Sequence, residues 1–435
     1  MWTYPESIRF LYGLQAAGMK FGLRGIRRLL RGLGHPENAY PSIHIAGSNG
    51  KGTTAALVAS ALTAAGYRTG LYSSPHLVDF AERIRVDGRA IPRREFLDIL
   101  EGLRGEIVKG RSTFFEAATA IALEHFRRAK VDVAVLETGL GGRLDATNTV
   151  RPLVSVITSI QREHEQILGR GIVRIAREKG GIIKRGVPCV AGDLGPKAER
   201  VLRRIARQRS APYVSIRRVR TQVLEESLRA TRFLARTGGS YDGEYVLPFA
   251  GRHQVRNAAA ALQVLTELGR RRRFVVSFDE ASEGFRSCRR LSGLESRFEV
   301  LGGRPVVITD VAHNPAAVRS LVKTLEHLSL RRVTFVLGLM KDKDLRAIAR
   351  SIGRVASHVV AVQPATERAC ESSAIARAVR AQGVRSSDGG AVATGVALAR
   401  RRAPKGGIVV VTGSHFVVGE MLAARRGKNY LTINQ

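Results

Sequence analysis

Short unbroken apolar runs, each closed by a glycine or a polar residue, recur along the chain and alternate with longer stretches of helical period. Such runs read as strands of a parallel sheet buried on both faces, and the stretches between them as the helices that cover it. The pattern predicts strands at 43–46, 69–73, 131–136, 153–157 and 187–191, and a second series at 306–309, 333–337, 359–362 and 408–411. Helices are expected over 5–35 in two segments, over 94–128 with a break near Gly110, over about 196–209, and from 251 onward. In the second of the opening segments Leu23, Ile26, Leu29, Leu30 and Leu33 fall on one helical face, after a turn at 19–23. Residues 192–250 change character. Short alternating segments flank Asp242-Gly243, which predicts antiparallel strands at the edge of the first unit.

The polar residues that close the strands bring in chemistry. Residues 43–54 read IHIAGSNGKGTT, a strand, a glycine-rich turn, a lysine, a hydroxyl and then an apolar helix. Glycines let backbone N–H groups turn toward an anion, the helix N-terminus adds its dipole, and the lysine reaches the outer phosphates. Asn49, Gly50, Lys51, Gly52 and Thr53 are therefore candidates for a phosphate cradle, although Gly52 departs from the usual spacing by standing between lysine and threonine. Glu137 closes a fully apolar strand beside the glycines of TGLGGRLDATN, where open α/β sheets bind ligands. His164 follows another strand end. Ser74 lies in SSPHL, Lys179 at a helix end before paired glycines, and Glu116 near a helix start. Taken singly, the serine reads as a loop residue, the histidine as structural, and Lys179 and Glu116 as charges answering helix dipoles. His253, Gln254 and Asn257 open a helix, where capping is the competing reading. In the second series Asp310 and VAHNP close one strand, LGLMKDKD closes another, and GSHFVVGE follows the last.

Composition bounds the class. With 435 residues, 44% of them hydrophobic, the chain suits two domains with full cores. Three cysteines without metal or redox spacing suggest buried thiols in a reducing compartment. No signal peptide and no run long enough to span a bilayer is seen, so a cytoplasmic protein without a membrane partner is expected. The formal charge of +34 would attract any polyanion. The basic residues are spread from Arg9 to Lys428 with no aromatic-interleaved patch, so an arginine-rich surface is preferred to a nucleic-acid site.

Taken in order, AGSNGKGTT, YSSPHL, TFFEAATAIA, LETGLGGRLDATN, HQVRNAAAAL and DVAHNP resemble the folylpolyglutamate synthases, and particularly the bacterial enzymes that combine this activity with dihydrofolate synthase. These belong to the Mur ligase superfamily. The match runs from FGL at 21–23 to GSHFVVGE at 413–420, and the inserted Gly52 is similar to the folate branch rather than to the cell-wall ligases.

The resemblance implies an α/β fold. A P-loop-like ATP-binding domain with a mainly parallel sheet (1–288) would be followed by a Rossmann-like C-terminal domain (289–435). It implies that Asn49, Gly50, Lys51, Gly52, Thr53, Asn257, Arg297 and Asp310 hold ATP, and that Ser74, Glu137 and His164 hold Mg2+. Lys179 matches a lysine that the family carbamylates, and His313 a histidine near the transferred phosphate; with Lys51 these are the catalytic candidates. Lys20, Phe21, Gly22, Thr113, Phe114, Phe115, Glu116, Leu144, Asp145 and Ala146 fall where the family binds its pterin substrate. The implied reaction joins L-glutamate to dihydropteroate or to a reduced folate through an acyl phosphate, in a monomer; a monovalent cation requirement stays open. Three local departures stand out: Glu163 for an aspartate before His164, Gly180 after Lys179, and GLESRFE before the nucleotide arginine. Two rival readings remain, a Mur-type ligase acting on another acid and a lapsed relative that binds polyanions.

Overall fold

The computed structural model describes residues 2–14, 22–428 and 430. Its first sheet has eight strands: β1 (Ser42–Ala46), β2 (Thr69–Tyr72), β3 (Ile84–Val86), β4 (Arg89–Ala90), β5 (Val133–Glu137), β6 (Val154–Ile157), β7 (Cys189–Ala191) and β8 (Tyr213–Ser215). Their spatial order is β4-β3-β2-β5-β1-β6-β7-β8. From β2 to β8 neighbours are parallel, while β3 and β4 add an antiparallel ribbon at one edge. β1 lies between β5 and β6, so the chain ends of three central strands open on one side of the sheet. That is where an α/β sheet of this kind offers a ligand crevice.

The helix Lys51–Ala64 leaves the end of β1 and is buried from Thr53 to Leu62. Alanine, serine and threonine fill it because helices pack closely around it. A Cβ on Gly284, in the helix Phe278–Arg286, would lie 2.5 Å from the Ala61 Cα, so only glycine allows that approach. The helix Arg252–Arg270 packs on the same element. Val135, Val156 and Leu262 share one apolar cluster with this helix.

Three antiparallel strands form a separate small sheet: β9 (Arg220–Glu226), β10 (Thr231–Arg236) and β11 (Gly243–Leu247). The turn between β10 and β11 is held by Asp242, whose carboxylate accepts from the N–H groups of Thr237 and Gly238 at 2.6 and 3.0 Å. Phe233, Ala235, Tyr245 and Leu247 turn inward to the first unit's core.

The helix Cys288–Ser292 still packs on Lys51–Ala64, and the 288/289 position expected as a boundary falls at its start. Beyond it comes a six-stranded sheet: β12 (Glu299–Gly302), β13 (Val306–Thr309), β14 (Val333–Leu337), β15 (Ala356–Gln363), β16 (Ser386–Ala391) and β17 (Ile408–Thr412). The order is β12-β13-β17-β14-β15-β16, antiparallel only at β12. The fold is thus the expected pair of α/β units. The sequence pattern missed β3, β4, β8, β12 and β16. β16 reads SSDGGA and lacks β-branched residues; it pairs only at the sheet edge, where backbone bonding to β15 decides. Among the described residues no helix is long and apolar enough to cross a membrane.

Candidate active site

The turn after β1 carries the first functional groups. Gly47 and Gly50 have φ of 156° and 86°, and Gly50 caps the helix with no side-chain hydrogen bond to its first N–H groups. Those donors remain for an anion. The loop is fixed from below: Asn49 N donates to Ser159 Oγ at 2.9 Å, and Thr158 Oγ1 donates to the Asn49 carbonyl at 2.8 Å. A Cβ on Gly50 would lie 2.3 Å from Asn257 Oδ1, and one on Gly52 would lie 3.4 Å from Glu137 Oε2 and 3.5 Å from Arg297 Nη2. The loop therefore touches Asn257, Glu137 and Arg297 at backbone distance. Thr53 is buried beneath it.

Glu137, at the end of β5, is 3% exposed. Lys51 Nζ lies 3.9 Å from its Oε1, and Ser74 N donates to its Oε2 at 3.1 Å. Burial raises its pKa, with Lys51, the Ser74 N–H and Arg297 pulling the other way. The remaining lone pairs face the cleft. His164 has φ of 48° ahead of the short helix Glu165–Leu168. Burial lowers its pKa to about 4, so its ring is neutral and can offer a lone pair at physiological pH. Among the described residues no three His, Cys, Asp or Glu side chains cluster tightly enough to hold a metal by themselves. Magnesium retains waters and phosphate oxygens and needs only one or two protein carboxylates, so Ser74, Glu137 and His164 around one cleft fit such an ion.

Lys179 ends the helix Ile172–Gly180 and is 2% exposed. Its ammonium donates to Gly47 O at 2.8 Å and to Glu163 Oε1 at 3.1 Å. Burial draws its pKa down, against the pull of Glu163. Burial also opposes the Glu163 charge, but Lys179, Lys51 and His164 outweigh it and hold that carboxyl low.

The second unit closes the cleft. Asp310, after β13, accepts from Phe298 N and Ala312 N, both at 2.9 Å, so its carboxylate shapes the turn that presents Arg297. Burial raises its pKa. Asn314 caps the helix Pro315–His327 and donates to Asn49 Oδ1 at 2.9 Å, tying the two units at the loop. His313 Nδ1 lies 2.9 Å from Val311 O. A carbonyl only accepts, so Nδ1 carries the proton and Nε2 presents a lone pair.

The groups expected to receive the pterin lie along the same cleft of about 1230 Å³. Phe114, Phe115, Leu144 and Ala146 supply apolar walls, and Gly22 and Asp145 also line it. Asp145 is held by Thr147 N at 3.0 Å and Leu140 N at 2.9 Å, and burial raises its pKa. Thr113 and Glu116 line the cleft too, but they form a capping box: Thr113 N donates to Glu116 Oε2 at 2.8 Å, and Glu116 N donates to Thr113 Oγ1 at 3.3 Å. The Glu116 carboxylate thus serves the helix start. Lys20 and Phe21 lie outside the described residues.

Two groups that the sequence reading did not single out belong here. Arg83 is 2% exposed, donates from Nε to His76 Nδ1 at 2.7 Å, and leaves Nη2 without a partner. His415 also lines the cleft. The signal for Arg83 was an arginine between apolar residues, Phe80 and Ile84, too common to stand out alone. Cys189 and Cys288 are buried free thiols, pushed up to about 12 and about 11 by burial, and so inert.

The Mur ligase middle domain matches residues 45–265, and the Mur ligase glutamate ligase domain matches residues 296–415. The dihydrofolate synthase/folylpolyglutamate synthase of Bacillus subtilis is 34% identical over 363 residues, 81% of this chain and 84% of that protein. The chain belongs to the dihydrofolate synthase/folylpolyglutamate synthase family of Mur ligases. A probable bifunctional folylpolyglutamate synthase/dihydropteroate synthase of Haloferax volcanii is 35% identical over 430 residues. That alignment takes in 96% of this chain, which spans only about half (50%) of the archaeal protein. Among solved structures, the folylpolyglutamate synthase of Mycobacterium tuberculosis complexed with ADP superposes with a TM-score of 0.86 at 30% identity, covering 99% of this chain and 100% of that one. An Escherichia coli enzyme in complex with DHPP and ADP gives a TM-score of 0.83 at 30% identity, covering 97% and 98%. The fold of this family member is therefore that of the folylpolyglutamate synthase structures.

Proposed function

We propose that this chain is an ATP-dependent amide ligase that joins L-glutamate to dihydropteroate, to reduced folates, or to both. The observation that carries the reading is the meeting, in one cleft, of a phosphate loop, a buried strand-end carboxylate and an apolar-walled channel, closed by a second α/β unit. ATP would be held by Asn49 to Thr53 and by Asn257 and Arg297, with Asp310 setting the Arg297 turn. Mg2+, held by Ser74, Glu137 and His164 when bound, would screen the phosphate charge.

A carboxylate is a poor electrophile at neutral pH, so it is first phosphorylated. Lys51 neutralises charge on the phosphates as the acid attacks, and the resulting acyl phosphate is then open to an amine. The tie between Asn49 and Asn314 holds the second unit against the loop, which excludes water from that intermediate. Lys179 braces the loop through Gly47 as an ammonium; a carbamate there would bring a second negative charge against Glu163. The enzyme works as a monomer in the cytoplasm, and its basic surface is a property of composition rather than a nucleic-acid site.

ADP release in the presence of L-glutamate tests the substrate class. It is expected to depend on dihydropteroate or tetrahydrofolate. Dependence on an unrelated acid instead would favour a Mur-type ligase of other specificity, and its absence with every acid would favour a lapsed relative.

A further inference from the structure

Arg83 carries a buried charge that no side chain of the fold answers. It ends the short helix Phe80–Arg83, and its carbonyl accepts from Ser73 N at 2.9 Å, which ties it to the turn that follows β2. Its Cζ lies 5.1 Å from the ring centroid of Phe114 and 6.0 Å from that of Phe80. Nε donates to His76 Nδ1 at 2.7 Å. A guanidinium only donates, so that ring nitrogen presents a lone pair, and the proton of the neutral imidazole sits on Nε2, 3.2 Å from Tyr12 Oη. His76 therefore brings no negative charge. Two acids act on Arg83 from nearby, and both are engaged elsewhere. Glu82 accepts from Leu77 N and Asp79 N at 2.8 and 3.0 Å, and Glu137 from Ser74 N beside Lys51. Among the described residues no carboxylate forms an ion pair with Arg83, and its Nη2 is buried without a partner. A guanidinium keeps its charge even where burial lowers its pKa, and such a charge is costly to bury unless an anion meets it.

The sheet shows on which side that anion would lie. Along β5, Val133 and Val135 pack in the core that holds the helix Lys51–Ala64, whereas Ala134 and Leu136 pack in the core that holds Phe80 and Phe114. Alternate residues of a strand point to opposite faces, so these two cores flank the sheet and meet where Glu137 ends the strand. Lys51 approaches the cleft from the first face, and Arg83 and Phe114 from the second. An anion on Arg83 would thus stand across Glu137 from phosphates on the loop, at the end of the apolar-walled channel.

We infer that Arg83 binds the carboxylate that the ligase activates, and so selects an ionised acid as substrate. The inference rests on the ligase reading above. The planar fork of a guanidinium matches a carboxylate, and its charge offsets that of an acid which must approach the anionic phosphates. With the carboxylate on Arg83, the body of the acid runs along Phe114 and the other apolar walls. A neutral relative of the acid would leave the guanidinium unanswered, which is how the residue discriminates.

Dihydropteroate and its carboxamide separate this role from a structural one, since the amide keeps the shape and removes the charge. Affinities for each are measured by titration of the full chain with ADP present, and the affinity for ADP is measured alongside. Wild-type protein is expected to prefer the acid by about 50-fold. Arg83→Gln should erase that preference by weakening the acid alone, with amide and ADP affinities changed by no more than about threefold. Arg83→Lys keeps a charge without the fork and should retain only part of the preference; it carries the test if Arg83→Gln does not fold. Lys51→Ala should keep the preference. Equal binding of acid and amide by wild-type protein, a full preference in either Arg83 variant, or an equal loss of acid and amide would overturn the inference. A matching loss of ADP affinity would assign Arg83 to the phosphates and overturn it too. Wild-type protein that binds ADP but neither acid nor amide would overturn the ligase reading and this inference with it.

Discussion

Lys179 Nζ lies 3.1 Å from Glu163 Oε1 and 2.8 Å from the carbonyl oxygen of Gly47, with the two side chains 2% and 8% exposed. A buried ion pair gains little over an apolar pair, but removing one partner strands a charge in a low dielectric. Lys179→Met or Glu163→Gln is therefore expected to cost about 3–5 kcal/mol in urea unfolding. The double variant should cost clearly less than the sum. Additive losses would mean that the contact carries no coupling.

Gly50 cannot be replaced without moving its neighbour. Alanine there would meet Asn257 Oδ1 at 2.3 Å and would have to hold φ of 86°. Gly50→Ala is expected to weaken nucleotide binding at least about tenfold, by displacing the loop's N–H donors. Titration with ADP and a melting curve check this; normal affinity with normal stability would show that the loop does not bind phosphate.

Lys51 and Glu137 stand 3.9 Å apart and both line the cleft. Lys51→Ala should reduce turnover by about 100-fold or more through lost charge neutralisation. Glu137→Gln keeps the shape and removes the charge, so it should raise the magnesium concentration needed for half-maximal turnover. Near-normal turnover in both folded variants would remove the site assignment.

Stability should fall in mild acid. His44 Nε2 lies 2.7 Å from Thr147 Oγ1; because Thr147 also donates to Asp145, the histidine is the donor and its Nδ1 is left bare. Burial first, then Lys184, lowers its pKa from 6.5 to about 3. His253 is lowered to about 4, chiefly by burial. Above pH 6.5 neither native nor unfolded chain binds these protons. As the pH drops below that value the unfolded chain takes them up first, so each histidine costs up to about 1.4 kcal/mol per pH unit until its native pKa is reached. Urea midpoints at pH 8 and pH 5 measure the slope, and His44→Gln should make it shallower. An unchanged slope would show that His44 titrates normally in the native state.

The sequence carried the framework of this fold because its central strands are buried on both faces. Val133–Glu137 and Val333–Leu337 read as strands at once, since every position in them is apolar, is the β-branched Thr334, or closes the run. The edges were opaque for the opposite reason: SSDGGA at Ser386–Ala391 has no pattern of its own and becomes a strand only by pairing with β15. The phosphate loop was legible because its glycines stand in sequence between a strand and a helix. The tie between Asn49 and Asn314, 265 residues apart, was not, because it depends on how the units dock. Glu116 shows the reverse case. Its position near a helix start is explained by the capping box with Thr113, a local bond readable from the spacing, whereas its place along the cleft depends on how that helix docks.

The central claim is that this cleft makes an amide bond to L-glutamate. The most direct measurement is product mass after purified protein is incubated with MgATP, L-glutamate and either dihydropteroate or tetrahydrofolate. The account predicts addition of glutamate to at least one of these acids, with ADP released in equal amount. Folded protein that binds ADP yet leaves both acids at their original mass would contradict it.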